Sequence, residues 1–190
     1  MGRPARAHVN LLVLTDRSLV PSGRSLVDVV RAAIQGGATR VVLREKDLPR
    51  AERAALAEEL RTFVPVLLVA SDPTIPVDGV HLAAADSWPD HRPAVVGRSC
   101  HSPADLARAA SEGCDYATLS PIFESASKPG YGPALGVVAL RDAPLPVYAL
   151  GGVDQTNARA CVDSGASGVA VMGHVMRADD PAVAVKDLLS

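Results

Sequence analysis

The stretch VYALGGVDQTNARACVDSGASGVAVMG, residues 147–173, decides the predicted fold. Residues 147–150 and 168–172 are short apolar runs with the branched side chains typical of buried parallel strands. Between these runs, Asp154 and Gly165 bracket a segment with helical periodicity. Parallel strands need a crossover connection, which is usually a helix. The stretch therefore predicts a strand–helix–strand unit of a parallel sheet that carries helices on its outside.

The same pattern recurs along the rest of the chain. Helix starts occur at Ser25, at Ser102-Pro103 and at Asp180-Pro181, and glycine stops occur at Gly36-Gly37 and Gly113. Further short runs rich in valine and leucine, which bring the predicted strands to eight, lie at residues 11–15, 41–43, 64–70, 79–82, 94–96 and 116–119.

Eight strands alternating with helices predict a (β/α)8 barrel, and the chain is short for that fold. It has 190 residues, whereas such barrels typically take ~250. Residues 73–78 and 83–93, which connect the third strand to the fourth and the fourth to the fifth, are too short for full helices. We therefore predict a single-domain α/β TIM barrel over residues 1–190 with some abbreviated helices. A doubly wound open sheet is the alternative.

Composition excludes several classes of partner. Apolar residues make up 48% of the chain and the formal charge is −2, so we expect a large core and no nucleic-acid partner. No apolar run approaches the ~20 residues that span a bilayer, so we expect no membrane partner either. The three cysteines lack CxxC spacing, which indicates reduced thiols in a cytoplasmic protein. A homo-oligomer is left open.

Polar residues cluster at the predicted carboxyl ends of the strands, where barrels of this kind build their active sites. We expect them to meet at one mouth that binds phosphorylated ligands. The residues concerned are Asp16, Arg44, Lys46, Ser71, Asp72, Asp86, Ser99, His101, Ser125, Ser127, Lys128, Gly151, Gly152 and Gly173.

The chemistry of these residues is consistent with phosphate binding. Arg44, Lys46 and Lys128 supply positive charge for a phosphate or pyrophosphate. Asp72 and Asp86 are hard oxygen ligands suited to Mg²⁺. The Gly151-Gly152 pair precedes the predicted Asp154 helix, whose dipole would favour an anion.

Each of these residues also has a purely structural interpretation. Residues 44–47 read alone as a solvated charge cluster, and the two aspartates occupy ordinary turn positions. His101 is equally well a hydrogen-bonded framework residue, and His81, inside an apolar strand, is better explained as structural. The repeated placement at strand ends favours a functional site over these interpretations.

The sequence resembles the thiamine phosphate synthase family, which also contains a thiazole tautomerase branch. The resemblance runs over nearly the whole chain. Its segments are residues 13–16, 42–46, 78–82, 97–101, 115–123, 125–128, 149–153 and 165–172. It implies that a hydroxymethylpyrimidine diphosphate loses pyrophosphate while the ring nitrogen of a hydroxyethylthiazole phosphate takes its place. The product is thiamine phosphate.

The resemblance also implies roles for individual residues. Arg44 and Lys46 would bind the departing pyrophosphate with help from Ser99 and Lys128, while Asp72 and Asp86 would hold Mg²⁺. The remaining positions would bind substrate, with the thiazole phosphate at Ser125, Ser127, Gly152, Met172 and Gly173, and with Ser71 and His101 completing the set.

Two positions depart from the family pattern. Synthases usually carry Gln where this chain has Val42 and Asn where it has Ser71, and those amides help to recognise the pyrimidine diphosphate. Three hypotheses follow. The chain is a synthase, or a metal-independent tautomerase that depends on His101, or a paralogue that binds thiazole phosphate or thiamine phosphate without turnover.

Overall fold

The computed structural model describes residues 9–124 and 133–190. Within these ranges eight parallel strands close into a barrel in sequence order, which confirms the predicted (β/α)8 architecture and shows the open-sheet alternative to be wrong. The strands are β1 (Asn10–Leu14), β2 (Arg40–Leu43), β3 (Val66–Ala70), β4 (Gly79–Leu82), β5 (Val95–Cys100), β6 (Tyr116–Leu119), β7 (Val147–Ala149) and β8 (Gly168–Val171).

Six α-helices are described: α1 (Leu26–Gln35), α2 (Arg50–Leu60), α3 (Pro103–Glu112), α4 (Ala158–Asp163), α5 (Gly173–Met176) and α6 (Pro181–Leu189). Two 3₁₀ turns, Arg17–Leu19 and Val137–Leu140, follow β1 and precede β7. We call the end of the barrel at which the strands terminate the mouth, and the opposite end the base.

Local capping chemistry explains where three of the helices begin. The Ser25 hydroxyl accepts the Asp28 N–H, and the Asp28 carboxylate accepts the Ser25 N–H in return, which forms a capping box. Ser102 caps α3 in the same way through the Asp105 N–H, and Asp180 accepts two N–H groups at the start of α6. These starts confirm the predictions from sequence.

The fourth helix begins later than predicted. The Asp154 carboxylate accepts the N–H and hydroxyl of Thr156, and the Asp154 carbonyl accepts the Ala158 N–H, so Asp154 begins a turn that leads into α4. Helix α4 starts only at Ala158. The Gly151-Gly152 pair therefore precedes this turn and not the regular part of the helix, and the predicted role of a helix dipole there stays a prediction.

The connections of β3 to β4 and of β4 to β5, all within the described ranges, contain turns and bends rather than abbreviated helices. Strand β5 is longer than predicted and continues to Cys100, so Ser99 lies inside the strand instead of after it.

Alternation along the strands divides the apolar core into two layers. The outer layer packs the barrel against the helices. The inner layer fills the barrel itself and consists of Leu12, Leu14, Val42, Leu68, Ala70, Tyr116, Tyr148 and Ala170.

A glycine makes room for the largest inner side chain. A Cβ on Gly97 would lie 2.1 Å from the Tyr116 ring, so only glycine fits opposite that tyrosine. Polar groups also face the interior, with His81 and Ser99 toward the mouth and the Tyr148 hydroxyl toward Arg40.

Candidate active site at the barrel mouth

Arg44 and Lys46 lie at the end of β2 on either side of a buried carboxylate. Glu45 is 2% exposed and accepts the Thr15 hydroxyl at 2.7 Å. The same hydroxyl accepts the Arg44 N–H at 2.9 Å. Burial of Glu45 thus leaves its two basic neighbours, Arg44 half-buried and Lys46 exposed, at the mouth.

The Arg44 side chain brings β2 and β8 together across the mouth. Its guanidinium lies 4.0 Å from the Met172 sulfur and 3.9 Å from the Asp16 carboxylate. Beside it, a cavity of ≈ 210 Å³ is lined by residues 16–18 and 44–47. Arg44, Met172 and Asp16 are therefore neighbours, as expected for residues of one site.

The charge of Lys46 also affects the pKa values of Asp86 and His81. Partial burial raises the pKa of Asp86, but the nearby Ser71 hydroxyl, a hydrogen bond from the Ala83 N–H and the charges of Lys46 and Arg98 lower it by more, so the net shift is downward. Burial lowers the pKa of His81 to about 4, and the positive charges of Lys46, Arg98 and Arg44 lower it as well. The mouth thus holds an ionised Asp86 and a neutral His81 at physiological pH.

The Ser99 side chain is hydrogen-bonded to His81, which lies deeper in the barrel. The Ser99 hydroxyl lies 3.0 Å from His81 Nε2, and His81 Nδ1 lies 2.9 Å from the Tyr116 hydroxyl. Adjacent strands β4, β5 and β6 supply these three side chains, which all point into the barrel. His81, interpreted from sequence as structural, thus contacts a predicted site residue directly.

Ser71 has an unusual backbone conformation at the end of β3. Its φ of 58° lies in the left-handed region that non-glycine residues rarely adopt. This turn places the Ser71 hydroxyl beside the Asp86 carboxylate. Asn tolerates such a conformation better than Ser, which gives a backbone reason for the amide that synthases usually carry here.

Asp72 has both carboxylate oxygens engaged. Oδ2 lies 2.7 Å from Arg53 Nη2, and Oδ1 accepts the N–H and the hydroxyl of Thr74 at 3.1 and 2.6 Å. Asp72 and Arg53 are both largely buried, with side chains 14% and 11% exposed. The negative charge of Asp72 is therefore paired with the positive charge of Arg53 on α2.

These contacts bear on whether the predicted magnesium ligands fit a preformed site. Magnesium needs carboxylate oxygens that are free to enter its octahedron. Asp72 shares its oxygens with Arg53 and Thr74, and one Asp86 oxygen accepts the Ala83 N–H at 2.7 Å. Among residues 9–124 and 133–190, no group of three or more His, Cys, Asp or Glu side chains could hold a metal ion. A magnesium ion that is held by one or two carboxylates, by waters and by substrate phosphates needs fewer protein ligands than such a group supplies, so the role predicted for Asp72 and Asp86 stays a prediction.

The Gly151-Gly152 pair lies against the segment that follows β6. Both residues have positive φ, and a Cβ on Gly152 would lie 2.4 Å from the Glu124 carbonyl oxygen. Close packing of backbone against backbone therefore requires glycine here. Gly173 begins α5 directly after β8, so the predicted Met172-Gly173 turn is the start of a short helix.

His101 lies just beyond β5, where its Nδ1 is 2.9 Å from the Ser120 carbonyl oxygen. The backbone N–H of His101 also donates to the Asp105 carboxylate. The position of His101 is therefore fixed by α3 and by the end of β6. The predicted residues Ser125, Ser127 and Lys128 lie outside the described residues.

Three residues at the mouth were missed by sequence reasoning. Arg53 carries a detectable signal, because it shares the buried face of α2 with Ala57 and Leu60 at helical spacing. Arg98 is 1% exposed and donates to the carbonyls of the β4–β5 loop. Thr118 is fully buried beside Ser99, with a hydroxyl that has no hydrogen-bond partner in the described part of the chain.

The comparisons with known proteins agree with this geometry. Thiamine-phosphate synthase from Roseiflexus castenholzii is 36% identical, and the similarity covers 93% of this chain and 85% of the relative. Thiamine-phosphate synthase from Methanoculleus marisnigri is also 36% identical, with 94% of this chain and 93% of the relative covered. No described helix has both the length and the apolar character needed to cross a membrane.

Solved structures show the same relationship. Thiamine phosphate pyrophosphorylase from Pyrococcus furiosus superposes with a TM-score of 0.80 at 28% identity, covering 95% of this chain and 93% of that structure. A 3-hexulose-6-phosphate synthase shares the fold at 16% identity, with a TM-score of 0.70. The profile of the TMP-TENI family, described as thiamine monophosphate synthase, matches residues 11–175. The chain therefore belongs to the thiamine monophosphate synthase family.

Proposed function

We propose that this protein is a thiamine-phosphate synthase. It joins a hydroxymethylpyrimidine diphosphate to a hydroxyethylthiazole phosphate and releases pyrophosphate, acting as a transferase in the cytoplasm. The proposed unit is one barrel domain over residues 1–190, with small phosphorylated substrates as its partners, and a homo-oligomer is left open.

The observation that carries this proposal is the arrangement of Arg44 and Lys46 around buried Glu45. Glu45 is fixed by Thr15 and by the Arg17 N–H, so the two cations beside it are held at the mouth instead of pairing with it. Cations positioned before the reaction stabilise charge that develops on a leaving group. A departing pyrophosphate is such a group, and an arginine can bind it through two parallel hydrogen bonds.

The remaining mouth residues have supporting roles. Ser99 and Lys128 assist with the pyrophosphate, and Ser71 and His101 contribute to substrate binding. Ser125, Ser127, Gly152, Met172 and Gly173 place the thiazole phosphate. No protein nucleophile is required, because the thiazole ring nitrogen is the attacking atom and the diphosphate is the leaving group.

Magnesium enters the proposal through the diphosphate. Asp72 and Asp86 would hold Mg²⁺ together with the substrate diphosphate, and the ion would supply positive charge for the departing pyrophosphate. Arg44 and Lys46 supply positive charge from the protein's own side chains for the same leaving group.

A specific observation favours tautomerase chemistry as the second candidate. Val42 is fully buried in the inner layer and offers no hydrogen bond where synthases carry an amide. A tautomerase would not recognise an aminopyrimidine, and it would depend on His101 as its proton-transfer group.

A direct product assay separates the candidates. The purified protein is incubated with both phosphorylated precursors, with and without Mg²⁺, and thiamine phosphate is followed by mass. We expect product at enzymatic rates that rises with Mg²⁺. Intact precursors in the presence of folded protein would reject the synthase, and the tautomerase would then be tested with a thiazole carboxylate phosphate and a His101→Ala variant.

A further inference from the structure

Three inward-facing side chains form a hydrogen-bonded chain that runs from the interior of the barrel up to the mouth. Tyr116 lies deepest, His81 is in the middle, and Ser99 is nearest to the mouth. Tyr116 is 7% and His81 4% exposed, whereas Ser99 is half-buried. The Tyr116 and His81 rings are stacked with their centroids 5.5 Å apart, so the two side chains also pack against each other.

The direction of this chain follows from the buried tyrosine. Among residues 9–124 and 133–190, the Tyr116 hydroxyl has a single hydrogen-bond partner, His81 Nδ1. Burial raises the pKa of Tyr116 well above its usual value, so the hydroxyl keeps its proton. A buried O–H without an acceptor is costly. Tyr116 must therefore donate, and His81 Nδ1 must accept.

A neutral histidine has one donor nitrogen and one acceptor nitrogen. When Nδ1 accepts from Tyr116, the ring proton resides on Nε2, which then donates to the Ser99 oxygen. The Ser99 hydroxyl keeps its own proton for another acceptor. In the opposite tautomer, Nε2 would accept from Ser99 and use up that proton.

We propose that Tyr116 fixes His81 as the Nε2–H tautomer, so that Ser99 presents a hydroxyl donor to an anionic oxygen of the ligand in the mouth. His81 and Tyr116 are positioning residues that act through Ser99. The identity of the anion as a diphosphate rests on the proposed function, whereas the tautomer depends on the protein alone.

The tautomer is measured by long-range ¹H–¹⁵N correlation on the full chain labelled with ¹⁵N-histidine, with His81→Gln used to assign the signal. We expect wild-type His81 to be protonated at Nε2, and Tyr116→Phe to shift it toward the Nδ1–H form. Tyr148→Phe is the matched control, because that inward tyrosine bonds to Arg40 instead of His81. Protonation at Nδ1 in the wild type, or no change in Tyr116→Phe, would overturn the proposal.

The consequence for ligand binding is measured by calorimetric titration with inorganic pyrophosphate. One charge-assisted hydrogen bond corresponds to about tenfold in affinity, so Ser99→Ala is expected to weaken binding by about that factor. Tyr116→Phe should weaken it similarly, and the double variant should lose no more than Ser99→Ala alone. Additive losses would show that Tyr116 does not act through Ser99. Failure of the wild type to bind pyrophosphate would reject the anion and the proposed function together, while the NMR experiment would still decide the tautomer.

Discussion

Asp78 and Asp115 at the base and Asp72 and Asp86 at the mouth all have hydrogen-bonded carboxylates, and the two pairs differ in their partners. At the base, Asp78 accepts the Leu67 N–H at 2.8 Å and Asp115 accepts the Val96 N–H at 2.7 Å. Both donors lie at the second residue of a strand, Leu67 in β3 and Val96 in β5. At the mouth, Asp72 and Asp86 accept from loop residues and lie near Arg53, Lys46 and Arg98.

This difference teaches which polar residues hold the barrel together and which ones serve its chemistry. An aspartate that accepts a strand N–H replaces a partner that the sheet cannot provide at its end. An aspartate on a loop with positively charged side chains around it contributes to the electrostatic field of a site. The same residue type therefore stabilises strands at one end and organises charge at the other.

The largest effect that would break this comparison is expected at Arg44. Arg44→Ala should lower turnover by ~10²-fold or more, because it removes a cation held against the developing pyrophosphate charge. The same loss is expected for Lys128→Ala. Arg92→Ala is the matched control, since Arg92 pairs with Asp115 at the base and lies far from the mouth. Equal losses in turnover for Arg44→Ala and Arg92→Ala would remove the distinction between the two ends.

The pH dependence of stability tests the environment of His81. Its pKa falls from 6.5 to about 4 on folding, so the unfolded chain binds the proton more tightly. The stabilisation is complete above pH 6.5 and is lost as the pH falls toward 4, which amounts to roughly 3 kcal/mol. Urea unfolding of the wild type and of His81→Gln from pH 7 to pH 4 measures this. A parallel pH dependence in the two proteins would contradict a neutral buried His81.

Asp78→Ala is expected to reduce stability without affecting chemistry. It leaves the buried Leu67 N–H without its acceptor, which costs about 1–3 kcal/mol. Chemical denaturation measures this loss, and turnover per folded molecule should stay unchanged. Exposed Asp90→Ala provides the control and should be nearly neutral. A large fall in turnover for Asp78→Ala would mean that the base contributes to the reaction.

Arg53→Met sharpens the interpretation of Asp72. Removing a positive charge 2.7 Å from the Asp72 carboxylate should strengthen binding of a divalent cation by roughly tenfold. Mn²⁺ titration followed by electron paramagnetic resonance, without substrate, measures this directly. Arg50→Met, which lies 3.8 Å from the same carboxylate on an exposed side chain, should change the affinity less. Unchanged affinity in Arg53→Met would show that Arg53 does not compete with metal.

The smallest expected effect concerns the strained backbone at Ser71. Ser71→Gly should raise the free energy of unfolding by about 1 kcal/mol, because glycine adopts a φ of 58° without steric cost. Asp142→Gly, with a φ of 52° away from the mouth, is the comparison for strain without a site. Thermal unfolding measures both. Stabilisation of Asp142→Gly alone would show that the mouth compensates the strain at Ser71.

Sequence reasoning predicted the parts of the molecule that depend on local chemistry. The strands and the caps at Ser25, Ser102 and Asp180 follow from periodicity and from side chains that bond within a few residues. The regular part of α4 starts later than predicted, because an Asp that accepts an N–H two residues on begins a turn at Asp154 before the helix itself.

The site was only partly predictable for a related reason. Strand ends identify which residues can meet at the mouth, and this correctly grouped Arg44 with Met172. The pairing of Asp72 with Arg53 joins a strand end to the helix before it, and no sequence spacing specifies that contact. His81 resembled a core residue because it is one, and its contact with Ser99 depends on the register of β4 and β5.

Gly97 and Tyr116 occupy one shared volume, and this constrains how the interior can evolve. Any side chain at Gly97 collides with the Tyr116 ring, and a smaller residue at Tyr116 leaves a cavity in the inner layer. Neither position can change first without cost, so a new lining requires both substitutions together. A natural relative with a different residue at one of these positions is expected to differ at the other, so the two positions should co-vary.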